Sequence, residues 1–408
     1  MPADRTALRA FLSANEQAET EMLAALVREP SDNPPGDCAR HAEVTAKLLE
    51  ALGFTVERHQ VPTELCRKHG MISATNLVAR KTYGPGPTIA LNSHGDVVPP
   101  GTGWTTDPYG AEIRDGWMYG RGAAVSKSDI ATYAYAMLAL EKSGLKHGTI
   151  ELHVTYDEET GGEIGPQYLL EQGISKPDLA LGAGFSYQVV EAHNGCLHLE
   201  VEVTGRSAHA AKPYTGIDAL EAATTILSAL YSWRGELAHR VSETPGIGAP
   251  QLTVGLIEGG INTNVVPDRV TLRLDRRIVP DETPAEVEAE LRAVIEGAAR
   301  AHPRAGLSIR RILLATPLTP TPAAAALTKL LCQHASAELN TEVTAGGVPL
   351  YTDARHYAAA GVPIVLYGAG PRSIEEANAH RADERVRPSD LHAATRVVAL
   401  ALADLLEA

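Results

Sequence analysis

The chain has 408 residues, 44% of them hydrophobic, 21% charged and 5% aromatic, with a formal net charge of −14. That is ample apolar material for a folded core. It is also more chain than one core takes, since single cores stop growing at roughly 250–300 residues, so two domains are expected. The acidic surplus argues against nucleic acid or an anionic membrane as partner, because both need basic patches.

The first 26 residues mix charges with apolar residues at helical spacing and lack the apolar core of a signal peptide. No apolar run reaches the roughly 18–20 residues of a membrane helix. The four cysteines, Cys38, Cys66, Cys196 and Cys332, are widely scattered, which fits buried packing thiols in a reducing compartment. A cytoplasmic protein is expected.

The opening helix is expected over 3–28, ending before Pro30, with a turn-rich loop at Ser31–Gly36. A helix at 38–52 stops at Gly53, and strands follow at 54–58, 75–80 and 88–93. The last is almost wholly apolar, as a central strand is. A helix at 127–143 and a strand at 148–156 continue the alternation, which indicates an α/β fold with a mostly parallel sheet. After about residue 190 the pattern changes to strand 196–204, helix 217–234, strands 250–258 and 268–278, helix 283–301 and strand 306–313. That order is ferredoxin-like α+β. A helix at 322–338, a strand at 363–367 and a helix at 389–407 resume the first pattern. The expected division is 1–191 with 315–408 as one discontinuous α/β domain, and 192–314 inserted into it.

Three segments carry chemistry. Strand 88–93 runs into His94-Gly95-Asp96, and a histidine at the C-terminal end of such a strand faces the crevice where α/β folds bind ligands. A carboxylate two residues on suits the second ring nitrogen of a metal-bound histidine. Read alone, the pair also fits a solvated loop. Asp157-Glu158-Glu159-Thr160-Gly161-Gly162 follows another strand; it is either an acidic turn or a pair with split duties, one glutamate on a metal and one accepting a proton from the attacking water. His380, in Ala379-His380-Arg381-Ala382-Asp383-Glu384, precedes the last helix and fits a capping loop as well as a ligand. Two histidines, a glutamate and a spare glutamate make the set of a catalytic zinc site, although fifteen histidines offer many accidental sets.

The order of motifs resembles the aminoacylase, acetylornithine deacetylase, succinyl-diaminopimelate desuccinylase and glutamate carboxypeptidase family of metal-dependent amidohydrolases. The resemblance runs through His94–Gly101, Gly120-Arg121-Gly122, Asp157–Glu159, Gly205–His209, Asn264–Pro267, Asp275–Arg277, Thr352–Arg355 and His380 with Glu384. It implies His94, Glu159 and His380 as metal ligands, Asp96 as the residue orienting His94, and Glu158 as general base. It implies that His209, in an inserted lid that commonly mediates dimerisation, polarises the scissile carbonyl. Asn264, Arg277 and Arg355 are implied near a substrate carboxylate, which suits the two-donor fork of arginine.

Two positions depart from the family. Val125 stands where the family carries an aspartate that bridges two metals, and Gly182–Phe185 carries no carboxylate where the family has another ligand. Two cations a few ångströms apart repel strongly without that charge. The expectation is therefore one divalent transition metal per chain (zinc, manganese or cobalt), in a site short of acid. Asp129, one helical turn beyond Val125, is the candidate for a compensating ligand, or an ordinary polar residue of the helix's first turns. The expected activity is hydrolysis of a C–N bond in a small N-acyl amino acid or dipeptide-like carboxylate by a homodimer or higher homo-oligomer. The alternatives are hydrolytic deamination of an activated or aromatic amine, and a non-catalytic homologue that binds a carboxylated ligand.

Overall fold

The computed structural model describes residues 2–408. It divides into two compact units, one made of the chain up to Glu191 with Pro320–Gly346 and Thr352–Ala408, the other of Ala192–Thr319 with Gly347–Tyr351. Residues 315–319 and the short segment 347–351 thus group with the second unit, not with the first as expected.

The first unit is built on an eight-stranded mixed sheet in the order Val56–Gln60, Thr75–Thr82, Thr149–Thr155, Thr88–His94, Leu179–Gly182, Ile364–Leu366, Val189–His193, Ala345–Val348. The strands Thr149–Thr155, Thr88–His94, Leu179–Gly182 and Ile364–Leu366 run parallel to one another. The two preceding strands pair antiparallel. Every residue of Ile89–His94 and of Ile150–Thr155 is buried. The first begins as an apolar run, as a central strand does, whereas the second alternates apolar residues with Glu151, His153 and Thr155, whose polar groups are hydrogen-bonded inside the protein.

Helix Lys127–Leu140, part of Lys127–Lys142, is buried on all sides, so its alanine-rich sequence shows no polar face. It packs against Arg5–Arg28 and Pro388–Glu407. The opening helix begins two residues later than expected because Asp4 caps it, its carboxylate accepting the N–H groups of Thr6 and Ala7.

A three-stranded sheet, Arg385–Val386, Trp117–Tyr119 and Glu112–Arg114, was not expected. Its strands are two or three residues long, too short for periodicity to register. It fastens the chain just after His380 to the segment before Gly120.

The second unit is a four-stranded antiparallel sheet in the order Gln251–Gly259, Arg269–Ile278, Gly195–Thr204, Gly306–Ala315. Helices Ala219–Leu237 and Pro284–Ala299 cover one face. Leu197, Leu199, Val201 and Val203 meet Ile226, Leu230, Leu291 and Ile295 there, and the alternate residues of the strand face away. The strand order is that of a ferredoxin-like unit. Among the described residues no helix is long and apolar enough to cross a membrane.

Candidate active site

The parallel pairing sets His94 opposite Thr155, so the ends of these two strands deliver His94 and Asp157-Glu158-Glu159 to the same edge of the sheet. The chain turns sharply after the acids. Gly162 has φ 80°, and a Cβ on it would lie 2.3 Å from Asp353 Oδ1, so only glycine fits there.

One ligand atom each from His94, Glu158 and Glu159 lies within 4.8 Å of the others. His94 Nε2 is 4.0 Å from Glu158 Oε2. Its Nδ1 donates to the backbone carbonyl of Asp96 at 2.9 Å, with the Asp96 carboxylate farther away at 3.4 Å. Here the expectation needs correction: the main-chain oxygen, not the carboxylate, is the nearer partner of the ring. The Asp96 carboxylate instead accepts the N–H groups of Glu158 (3.3 Å) and Glu159 (3.2 Å) and the Asn33 amide (2.9 Å). One residue thereby fixes both the histidine and the glutamate turn.

His380 follows from the opposite side of the sequence with φ 61°, a left-handed conformation uncommon for a non-glycine residue. Its Nε2 lies 3.6 Å from Glu159 Oε1, and more than half of its side chain is exposed. The structure therefore brings His94, Asp96, Glu158, Glu159 and His380 together.

The electrostatics follow from burial and crowding. Burial disfavours the charged His94 ring, but the charges of Glu158, Asp96 and Glu159 outweigh it and hold its pKa well above the ordinary value. Burial, with the charges of Glu159, Asp96 and Asp157 against the opposing pull of His94, pushes Glu158 up to about 8. The close carboxylate of Glu159, partly offset by burial, raises His380.

Asp129 is not part of this group. Its Oδ1 accepts the N–H of Ala369 at 2.6 Å, and a Cβ on Gly368 would lie 1.8 Å from that oxygen. The carboxylate is buried beneath the Gly368–Gly370 loop and pushed up to about 7 by burial. Val125 is half-buried and packs against the apolar core. Gly184 and Gly370 pair through their backbones where the family has its acidic ligand.

The neighbourhood is not short of acid, however. Asp353 is buried, accepts the Thr155 hydroxyl at 3.4 Å, and feels the charges of both Glu158 and His94. Burial and Glu158 hold its pKa well above the carboxylate range. Asp157, whose Oδ2 accepts the Ile164 N–H at 2.6 Å, is raised by burial and by Asp353. Asp353 is not among the site residues expected from the sequence: it stands in Thr352–Arg355, far along the chain from Glu158, and no spacing marks the two as neighbours.

Arg355 is engaged inside the protein, donating to the Gly161 carbonyl and to Glu163 Oε1 (3.2 Å); it braces the turn after the glutamates. In the second unit, the Ala211 N–H donates to His209 Nδ1 at 3.1 Å and the Ala210 N–H to the Asn264 carbonyl at 2.9 Å, so these two residues sit on adjoining loops. Arg277 binds Asp275 through Nε at 3.0 Å.

Imidazole and carboxylate donors gathered at the ends of parallel strands make a site fit for a divalent metal ion, and the relatives place the chain among metal-dependent hydrolases of C–N bonds. The model of peptidase family M20/M25/M40 matches residues 90–404, and the chain belongs to that family. It is 31% identical over 370 residues to a succinyl-diaminopimelate desuccinylase of Rhizorhabdus wittichii, covering 88% of this chain and 90% of that one. In fold it is similar to the dipeptidase Dug1p of Saccharomyces cerevisiae (TM-score 0.78, 14% identity, all of both chains). It is likewise similar to human carnosine dipeptidase 1 (TM-score 0.76, 17% identity, all of both chains).

Proposed function

We propose that this chain hydrolyses the amide bond of a small N-acyl amino acid or dipeptide-like carboxylate with one divalent cation per chain, and that Glu158 moves the proton. The observation that carries this reading is the convergence of His94, Glu158 and Glu159 donor atoms within 4.8 Å of one another. The substrate class follows the names of the desuccinylase and the two dipeptidases.

The donor set fits zinc, manganese or cobalt, being one imidazole with its second nitrogen fixed and carboxylates beside it. His94, Glu159 and His380 would hold the ion. When bound, such an ion polarises the substrate carbonyl and makes water a better nucleophile. A positive charge in the pocket favours the carboxylate form of Glu158, the form a base needs. Glu158 takes a proton from the attacking water at a carboxylate oxygen and delivers it to the leaving nitrogen. Asp96 keeps the glutamate turn and His94 in place during that transfer.

The reading of one ion rests on Val125 and on the carboxylate-free Gly182–Phe185 stretch. Asp353 is a further carboxyl nearby, but burial and the charge of Glu158 hold its pKa well above the carboxylate range, which favours its neutral form. For the second unit we carry over from the family that His209 acts on the carbonyl oxygen, and Asn264 and Arg277 on the substrate carboxylate. Because Ala211 N–H points at Nδ1, a neutral His209 ring has its proton on Nε2, where it is a donor.

The test is to strip the protein with chelator, titrate zinc, manganese or cobalt, and follow amide hydrolysis on a panel of N-acyl amino acids and dipeptides. Activity that saturates at one ion per chain, and a Glu158→Gln variant that binds the ion but loses turnover about 10²–10⁴-fold, support the reading. Activity that needs two ions per chain overturns the one-ion claim. No hydrolysis of any C–N substrate, with tight binding of a carboxylate, overturns the enzyme.

A further inference from the structure

The second unit contains one other group of donors among the described residues. Cys196, His198 and Asp275 each offer a ligand atom within 4.8 Å of the other two. Their placement follows from strand register. Cys196 and His198 are two apart on strand Gly195–Thr204 and so share a face. The antiparallel neighbour Arg269–Ile278 sets Asp275 opposite His198 and Arg277 opposite Cys196. Four side chains thus occupy the corners of one square on the sheet.

One pair of donors is already in contact, His198 and Asp275 being hydrogen-bonded. His198 Nε2 and Asp275 Oδ2 are 3.2 Å apart. Two ligands each 2.0–2.2 Å from one tetrahedral ion are about 3.3–3.6 Å apart, so this pair needs to open only slightly to take one. The fourth corner supplies what a ligating carboxylate needs, an outer partner that fixes its orientation. Arg277 donates through Nε to Asp275 Oδ1 at 3.0 Å, with a further contact to Oδ2 at 3.2 Å. The site is reachable, since about a third of the His198 side chain and 28% of that of Asp275 are exposed, whereas Cys196 is buried. A buried sulfur beside an imidazole and a carboxylate is a donor set that selects zinc-class ions over magnesium or calcium.

We propose that Cys196, His198 and Asp275 form a second cation site that takes a zinc-class divalent ion, separate from the group at His94. Binding releases the thiol proton of Cys196 to solvent and leaves sulfur, ring nitrogen and one carboxylate oxygen on the ion, with a fourth position open. Arg277 keeps Nε on Asp275 Oδ1 and gives up its contact with Oδ2, which leaves its terminal nitrogens for the substrate carboxylate.

Cobalt(II) is the probe, added to the chelator-stripped full chain. The group at His94 has only nitrogen and oxygen donors, so a thiolate-to-cobalt absorption band in the near ultraviolet reports on the proposed site and not on catalysis. The expected result is that band in the natural chain, its loss in Cys196→Ser, and one ion fewer per chain in that variant. His198→Gln, at a position about a third exposed, should weaken the band as well. Absence of the band from the natural chain overturns the proposal, and so does a band and ion count unchanged by Cys196→Ser. Either failure leaves the hydrolysis titration untouched.

Discussion

Arg121 and Glu384 form an ion pair at 2.6 Å with both side chains almost wholly buried. Glu384 also accepts the backbone N–H groups of Ala124 (3.1 Å) and Val125 (3.3 Å), while Arg121 donates to the carbonyls of Pro100 (3.2 Å) and Arg381 (3.1 Å). The loop that carries His380 is therefore held to the turn before Lys127–Lys142 by one buried pair. Removing one partner strands a buried charge, which costs about 3–5 kcal/mol. Arg121→Met is expected to lower stability by that amount in urea unfolding and to weaken divalent-ion binding. An unchanged urea midpoint would show that water reaches Glu384.

Val125→Asp restores a carboxylate where the family bridges two ions. If that valine is what limits the His94 group to one ion, the variant should bind one ion more per chain than the natural chain when both are measured by elemental analysis after dialysis against zinc. No gain in ion count would mean that the carboxylate-free Gly182–Phe185 stretch is limiting by itself.

Asp96 holds the N–H groups of Glu158 and Glu159 through its carboxylate and the His94 ring through its carbonyl. Asp96→Ala keeps the carbonyl and removes the carboxylate. Losing such an orienting partner typically costs 10–100-fold in metal affinity or activity, and a fall of that size in kcat/KM is expected. An equal loss in stability with normal kcat/KM would make Asp96 purely architectural.

Glu19 is only 2% exposed and is pushed up to about 8, chiefly by burial. The Thr395 hydroxyl has one proton and faces both Glu19 and the Leu391 carbonyl (2.9 Å), a pattern satisfied when Glu19 is itself protonated and donates. An unfolded glutamate titrates near 4.3, so between there and about 8 the folded chain keeps a proton that the unfolded chain has lost. Stability from this group is full at low pH and falls as pH rises through that window, by up to about 1.4 kcal/mol per pH unit. Glu19→Gln should remove that slope. Urea unfolding of both proteins at a series of pH values checks it, and parallel slopes would show that Glu19 is ionised when folded.

Much of this was legible in the chain itself. The apolar run before His94 and the strand before Asp157 marked two buried neighbours, and Gly161-Gly162 marked the tight turn after the acids. Strict alternation in 196–204 marked a sheet with one covered face, because successive side chains point to opposite sides. The motif order carried the family and named the residues that converge at the sheet edge.

What the sequence by itself determined is the division of chemistry among residue types: imidazole at 94 and 380, carboxylates at 158 and 159, and valine where an acid was expected. What only the tertiary structure decided is which of the remaining carboxylates stand near them. Asp129, four residues from Val125, turns to the backbone of Ala369, while Asp353, distant in sequence, is drawn beside Thr155 and Glu158. Spacing along a chain fixes which face of one helix or strand a side chain takes. Whether a charge ends beside a metal ligand or under a loop depends on which elements the sheet brings together, and that order is not written in any one segment.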